Sequence, residues 1–575
     1  MEEKILSQIY YSRPFRTRNA DEFDLENILD LFIDPTDGLI GPFDFANVIV
    51  KGKMGSGKTM YLRANYAYYL HTLVPCLLEH DSIILPVYIK LSDFQHLKDP
   101  KEIYDSILVK IIEEILAVCD HLKSAEEMTR LHKGAITLTG NWSTDNALIK
   151  IGNRLKELSA DEYVEKIANS CETKGGIVNH FFEVCANYNK SKSIEIKSHR
   201  TPEFSDVVYA MRELITPFNG KLLILFDEIG SINKLFFKND ENGDSYFEIL
   251  MNQLRTISNI RTKLAVYPNT SSDILKETRY GDVVALECDA INHPELYSSY
   301  SIKIISLIEK YISKAIEEAC SAEEIFDIST QNQLLIEQLI NASSGNMRRL
   351  VHLLDSSMNQ AYKRNNGNGK IILDDIIDAL KKQGADMENL YQSDDVDFLI
   401  NISKFCKTRS TYRFSYPNKG TTISKFTNNS EEYNIIEIGQ YGTGRKGTIY
   451  YFDYAYCIYK DLPTHYIKNS EKIDKTRSHI TGDPIRRVAQ LTDGLMAQSM
   501  VPGKIDGEIT FLVADKSAGF IKGNDDREYF FSKKNIIKDD VKRAYYVKHK
   551  VRFLPSFFTD NEKKEISIAT EIEVL

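Results

Sequence analysis

The segment from Asn47 to Thr59 constrains the fold more than any other. The β-branched run Val48-Ile49-Val50 leads into Gly52-Lys53-Met54-Gly55-Ser56-Gly57-Lys58-Thr59, and a helix-like stretch from Met60 to Leu70 follows. The G-x-x-x-x-G-K-[ST] spacing is complete, and a strand before it with a helix after it is the setting that the pattern requires. Gly52, Gly55 and Gly57 permit backbone angles and close approaches that a Cβ would block, so the N–H groups around Ser56 can converge on phosphate oxygens. Lys58 would reach the β- and γ-phosphates as a point charge, and the Thr59 hydroxyl would complete the coordination of a magnesium ion. The stretch therefore predicts a nucleoside triphosphate, ATP, with Mg2+ as cofactor. A glycine turn with a chance lysine is the plain alternative, and the strand–loop–helix setting argues against it.

A second stretch completes the chemistry. Lys221-Leu222-Leu223-Ile224-Leu225-Phe226-Asp227-Glu228 is a continuous apolar run, the pattern of a strand buried on both faces, and it ends in two carboxylates. Beside a phosphate loop, Asp227 is expected to order the metal and Glu228 to polarise the attacking water. A further strand, Lys263 to Tyr267, ends in Pro268-Asn269-Thr270, where Asn269, or failing it Thr270, can contact the γ-phosphate or serve only as a turn. Arg279, just before the strand Val283 to Leu286, either reaches a neighbouring subunit's nucleotide or is a solvated charge. In Ser343-Ser344-Gly345-Asn346 a glycine ends one helix and an asparagine caps the next. That places Arg348 in a first helical turn, able to swing over the γ-phosphate, while its neighbour Arg349 points elsewhere.

Strands alternate with helices from Val48 through Ser82–Ile89 and the helix Ile103–Val118, which predicts a parallel sheet with covering helices. Charged, partly helical sequence from about 122 to 201 interrupts that rhythm and reads as an insertion on the core. After residue 292 the pattern turns all helical: Tyr297–Ala319, Thr330–Ala342, Met347–Arg364 and Leu373–Lys382. At 575 residues the chain exceeds a single core. Its net charge of −10 excludes a protein that coats nucleic acid along its length, so such contacts must come from local patches. The eight cysteines are scattered without metal-ligand spacing, no run approaches the ~18 apolar residues of a membrane span, and the N-terminus lacks a signal-like core, so a cytoplasmic protein with reduced thiols is expected.

Through these motifs, residues 30 to 385 resemble the AAA+ ATPases, and within them the origin-recognition or replication-initiator type. The matches are Gly52 to Thr59, Leu225-Phe226-Asp227-Glu228, and Ser344-Gly345-Asn346-Met347-Arg348-Arg349-Leu350 followed by Ile371 to Ile376. The resemblance implies an ATP-hydrolysing enzyme with Arg348 as its sensor-two arginine, Asn269 as sensor one and Arg279 as an arginine finger at a subunit boundary. Farther on, Val396–Cys406, Ile423–Thr427 and the strands Tyr433–Ile438 and Thr448–Tyr454 resemble a winged-helix module, with Arg445 and Lys446 at the wing tip to lie along a phosphate backbone or to pack on the ATPase. From Gly503, short strands resemble a cold-shock (OB-type) barrel whose Phe511, Phe520 and Phe530 match base-stacking positions; an interaction barrel with these rings in its core is the alternative.

The expected fold is thus α/β: a P-loop AAA+-like parallel sheet core with helical insertion and helical lid, then a winged-helix-like module and a small β-barrel. Boundaries fall at an arm (1–45), the core (46–292), the lid (293–388), the winged-helix-like module (389–470), a linker (471–502) and the barrel (503–575). The expected function is ATP binding and hydrolysis coupled to nucleic-acid binding through the C-terminal modules. A signalling or antiphage-defence switch that binds ATP and assembles with a protein partner, or with copies of itself, shares the first two motifs and is the alternative.

Overall fold

The computed structural model describes residues 2–36, 41–79, 81–133, 150–151, 154, 158, 201–214, 220–238, 243–267, 280–286, 297–328, 334–408, 411–416, 423–427, 434–440, 448–463, 488–491, 504–514, 517–537, 545–559 and 565–575. Elements in chain order begin with α1 (Glu2–Ser12), α2 (Leu25–Leu31), β1 (Val48–Lys51), α3 (Lys58–His71), α4 (Leu73–Glu79), β2 (Ile84–Lys90) and α5 (Pro100–Lys133). There follow α6 (Phe204–Leu214), β3 (Lys221–Asp227), α7 (Tyr246–Arg255), β4 (Ile260–Val266) and β5 (Asp282–Ala285). The five strands form one sheet in the order β2-β3-β4-β1-β5, and every pairing is parallel.

Alternation along β3 shows why its apolar run is unbroken. Leu222, Ile224 and Phe226 join one buried cluster with the α5, α6 and α7 side, while Leu223 and Leu225 join another that contains α2 and α3 residues. Helices therefore cover both faces, as a parallel sheet requires. Parallel register also aligns the strand ends: Lys51 lies beside Val266 and Ala285, and Lys90 beside Asp227. Everything that follows a C-terminal strand end is thereby delivered to one rim of the sheet. Within the second cluster Lys263 is fully buried; its ammonium donates to the Pro42 carbonyl (2.7 Å) and Asn65 Oδ1 (2.6 Å), and burial pulls its pKa down to about 7.

The helical unit comprises α8 (Tyr297–Ile316), α9 (Ala322–Ile325), α10 (Leu334–Ser343), α11 (Met347–Asn365) and α12 (Leu373–Glu388). Its core also takes Leu6, Ile9, Tyr10 and Phe15 from the N-terminal segment. The expected arm is therefore split: α1 packs with the lid helices, whereas Ile28 and Phe32 of the α2 region pack with the sheet. Helix α5 also differs from expectation, running unbroken to Lys133 and so absorbing the first residues assigned to the insertion.

Beyond the lid come α13 (Ser393–Thr408), β6 (Arg413–Tyr416), α14 (Ser424–Thr427), β7 (Ile436–Gln440), β8 (Thr448–Phe452), α15 (Tyr454–Tyr459) and β9 (Ala489–Gln490). The strands make a sheet ordered β7-β8-β6-β9. Ala489 and Gln490 pair with β6, so part of the expected linker belongs to this sheet. Helix α15 presses on α12 where a Cβ on Gly384 would stand 2.6 Å from both the Ala455 carbonyl oxygen and Tyr459 Cβ, an approach only glycine allows. The last five strands, β10 (Ile505–Leu512), β11 (Ala518–Gly523), β12 (Glu528–Ser532), β13 (Lys550–Thr559) and β14 (Glu565–Val574), close a barrel in the order β10-β11-β12-β14-β13.

Candidate nucleotide site

Between β1 and α3 the chain turns through Gly55 (φ +81°) and Gly57 (φ +98°), both in the left-handed region that favours glycine. The turn is closely packed. A Cβ on Gly52 would stand 2.1 Å from Ser56 Oγ, and one on Gly55 would stand 2.3 Å from Asn346 Oδ1. Lys58 opens α3; its ammonium is buried, donates to the carbonyls of Gly52 (2.7 Å) and Lys53 (2.8 Å), and lies 4.1 Å from the Tyr267 ring centre.

At the end of β3, Asp227 is almost fully buried and faces this loop. Its carboxylate accepts hydrogen bonds from the Tyr88 hydroxyl (2.6 Å), the Glu228 amide (2.8 Å) and the Thr59 hydroxyl. Burial raises its pKa above the usual carboxylate range, against the pull of those three donors. Glu228 has a left-handed backbone (φ 55°, ψ 39°), a conformation that costs a non-glycine residue and is stored at sites where the side chain must be aimed. Its carboxylate lies 3.6 Å from the Lys90 ammonium, which also lies 3.4 Å from Asp21 of the N-terminal segment.

The lid closes the third side. Asn346 caps α11 by accepting from the Arg349 amide (2.9 Å), and its Nδ2 donates to the Met54 carbonyl in the loop (3.0 Å). The Arg348 amide donates to the Gly55 carbonyl at 3.2 Å. Between these walls lies a cavity of about 480 Å³ whose lining includes Arg18, Phe23, Lys58, Glu228, Tyr300 and Arg348. The N-terminal segment roofs it, held to α3 by the Arg63 guanidinium, which donates to the Phe23 carbonyl (2.9 Å) and to that of Ala20.

The structure thus brings Gly52, Gly55, Ser56, Gly57, Lys58, Thr59, Asp227, Glu228 and Arg348 to one rim. Asn269, Thr270 and Arg279, and the wing-tip pair Arg445 and Lys446, lie outside the described residues. On the barrel, Phe511, Phe520 and Phe530 sit in register on β10, β11 and β12, with ring centres 6.3 and 5.7 Å apart. Phe511 and Phe520 are 53% and 37% exposed, and the barrel interior is filled instead by Ile509, Ile521, Tyr529, Phe531, Val551 and Phe553. Sequence reading missed Tyr88 and Lys90. They are two residues apart on a strand next to β3, and parallel register with Asp227 was the signal that could have found them.

Residues 13–75 match the ORC-CDC6-like family model. That span runs from the roofing segment through the phosphate loop and α3. Among solved structures, Cdc6p from Pyrobaculum aerophilum is 11% identical, with 72% of this chain and 87% of that chain covered at a TM-score of 0.27. The ORC2 protein of Aeropyrum pernix, solved in ADPNP and ADP complexes, is 12% identical, with 70% and 73% covered at a TM-score of 0.28. No curated protein matches the chain. Both superpositions are loose.

The residues fit a triphosphate with magnesium. The glycine cradle admits no Cβ at Gly52 or Gly55, and the buried Ser56 hydroxyl has no hydrogen-bond partner among the described residues. Thr59 and Asp227 present the hydroxyl and carboxylate oxygens that a hard divalent cation selects. Among the described residues no group of three or more His, Cys, Asp or Glu side chains could hold a metal, and no helix is long and apolar enough to cross a membrane.

Proposed function

We propose that the protein is an ATP-hydrolysing AAA+-like enzyme of the initiator type, which couples its nucleotide cycle to nucleic-acid binding by its C-terminal modules. One observation carries the reading: the glycine loop, the Thr59–Asp227 pair and the lid's Arg348 meet at one cavity, with Asn346 seating the lid on the loop beside it, although they come from three distant parts of the chain. In this reading Lys58 and the loop amides hold the β- and γ-phosphates, and Thr59 with Asp227 holds Mg2+. The ion, when bound, neutralises charge developing on the phosphoryl oxygens. Glu228 accepts a proton from water as the water oxygen bonds to the γ-phosphorus and the bond to the β-phosphate oxygen breaks, releasing ADP. Tyr88 keeps the Asp227 carboxylate oriented, and Lys90 does the same for Glu228. Arg348 approaches the γ-phosphate from the lid; Asn269 and Arg279 fill the sensor-one and finger roles.

The C-terminal modules support the nucleic-acid half of the proposal. The five-stranded barrel has the strand order of an OB-type fold, and its outward row of Phe511, Phe520 and Phe530 supplies flat apolar surfaces in line, on which bases stack. The β7–β8 hairpin carries Arg445 and Lys446 in its connection, as the wing of a winged-helix-like module would.

The test is ATP turnover by the full chain, alone and with single-stranded DNA, double-stranded DNA or RNA, with Glu228→Gln as the blank. Turnover that one nucleic acid stimulates and Glu228→Gln abolishes is expected. Near-normal turnover by that variant removes Glu228 from its role, and turnover unmoved by any nucleic acid shifts the assignment to a switch that assembles with a protein partner.

A further inference from the structure

The sheet formed by β6 to β9 reaches the nucleotide loop by two routes. In the first, Arg349 makes a two-pronged ion pair with Asp453, 2.6 and 2.8 Å long, with both side chains nearly fully buried. Asp453 also caps α15, accepting from the amides of Ala455 (2.9 Å) and Tyr456 (3.3 Å). Arg349 in turn donates its own amide to Asn346, the residue that touches Met54 in the loop. In the second route the Lys53 ammonium of the loop lies 4.0 Å from Glu437 on β7.

Neither route is sequence-local, and each joins a charged group of the module, Asp453 at the start of α15 or Glu437 on β7, to the loop or to the residue seated on it. A buried arginine cannot leave its carboxylate without stranding a charge, so Asp453 fixes where the tip of α11 sits. That tip carries both Asn346 and Arg348. At the loop itself, a bound phosphate would bring negative charge near Lys53, and the ammonium would then be shared between phosphate and Glu437.

We infer that Asp453 and Glu437 are positioning residues of the nucleotide site, so that the module spanning β6 to α15 sets the loop's affinity for nucleoside triphosphate. The inference rests on the ATP reading of the same cavity. Coupling of this kind is reciprocal, so nucleotide must also change the order of the module.

The test uses the full chain, a fluorescent ATP analogue with Mg2+, and hydrogen–deuterium exchange over 434–440 and 448–459. Asp453→Asn is expected to weaken binding about tenfold, within the usual range for coupled sites. Glu437→Gln, which leaves the buried pair in place and frees the Lys53 ammonium for phosphate, is expected to change affinity to a smaller degree and in the opposite sense, without loss of fold. The charge exchange Arg349→Asp with Asp453→Arg should recover part of the affinity that either single change loses. Nucleotide should slow exchange over both segments in the unaltered protein and not in Asp453→Asn, a response that a merely structural pair would not produce. Unaltered affinity in both Asp453→Asn and Glu437→Gln, with exchange indifferent to nucleotide, overturns the inference. Lys58→Ala separates the two failures: if the unaltered protein binds no better than Lys58→Ala, the nucleotide reading itself falls, and otherwise only the coupling does.

Discussion

Gly55→Ala tests the seat of the lid on the loop. The added Cβ would stand 2.3 Å from Asn346 Oδ1 and 2.7 Å from its Cγ, so Asn346 must withdraw. Withdrawal forfeits its bond to Met54 and its cap on the Arg349 amide, each worth about 0.5–1.5 kcal/mol. Alanine at φ +81° adds strain of about 1–2 kcal/mol. Gly57→Ala is the control, because it carries comparable strain at φ +98° while its nearest neighbour is Met347 Cγ at 3.9 Å, an ordinary contact. The difference between the two variants is therefore the Asn346 contribution, about 1–3 kcal/mol, or roughly 5- to 150-fold in affinity. Titration with a fluorescent ATP analogue in the presence of Mg2+ should show Gly55→Ala weaker than Gly57→Ala by that factor. Asn346→Ala removes the colliding atoms, so in the Gly55→Ala background it should cost nothing more. Equal affinities for the two glycine variants, or a full additional loss from Asn346→Ala, would refute the reasoning.

Acidification should weaken Mg2+-dependent nucleotide binding at a higher pH than an ordinary aspartate would produce. The cation needs the Asp227 carboxylate, and burial makes that group protonate above its usual range. The Tyr88 hydroxyl opposes the rise, so Tyr88→Phe should move the loss to still higher pH, measured as Mg2+ affinity across a pH series; an unmoved profile removes Tyr88 from that role. On the barrel, Phe520→Ala removes the middle ring of the outward row and should cost about 1–3 kcal/mol of single-strand affinity. Fluorescence anisotropy with a labelled oligonucleotide checks this, and unchanged affinity assigns the row to some other contact.

The sheet was legible in the sequence because its strands announce themselves by chemistry. Val48–Val50 and Leu222–Phe226 are too apolar to face water, and a glycine loop or an acid pair marks the end of each. What could not be read was the arrangement across chain segments. Nothing in the stretch Ser344 to Leu350 says that Asn346, besides capping its helix, also donates to Met54, because that second bond depends on how α11 is docked. Arg349 points away from the site, as its place beside Arg348 predicts, but its partner Asp453 lies about a hundred positions on. The strand β14 escaped notice because Glu565, Ser567, Thr570, Glu571 and Glu573 break up its apolar residues, as suits a barrel strand with one wet face. The aromatic row was legible as positions and not as exposure, which register and a bulge between Ile509 and Phe511 decide.

The cavity lies where three chain segments meet, and the strength of the bonds across that junction says what kind of junction it is. Arg13 and Arg18 of the N-terminal segment pair with Asp355 on α11 at 3.1 and 3.4 Å, and both arginines are 38% exposed or more. Half-exposed pairs of this sort contribute about 0–1 kcal/mol each. The Asn346 and Arg348 bonds to the loop add roughly 1 kcal/mol apiece. Within each wall the packing is of another order: Leu6, Ile9, Tyr10 and Phe15 bury into the lid core, and Ile28 and Phe32 into the sheet, at about 1.5–3 kcal/mol per side chain. The N-terminal segment is therefore held firmly, part of it to the lid and part to the sheet, while the polar contacts around the cavity are weak one by one. A ligand that touches all three walls and is present at a hundred times its dissociation constant adds about 2.7 kcal/mol to the assembled state, as much as several of those polar contacts together. Occupancy of the cavity thus outweighs any one of the polar contacts that seat the lid on the loop, and the module beyond, tied to the lid through Arg349 and Asp453, inherits whatever position that occupancy sets.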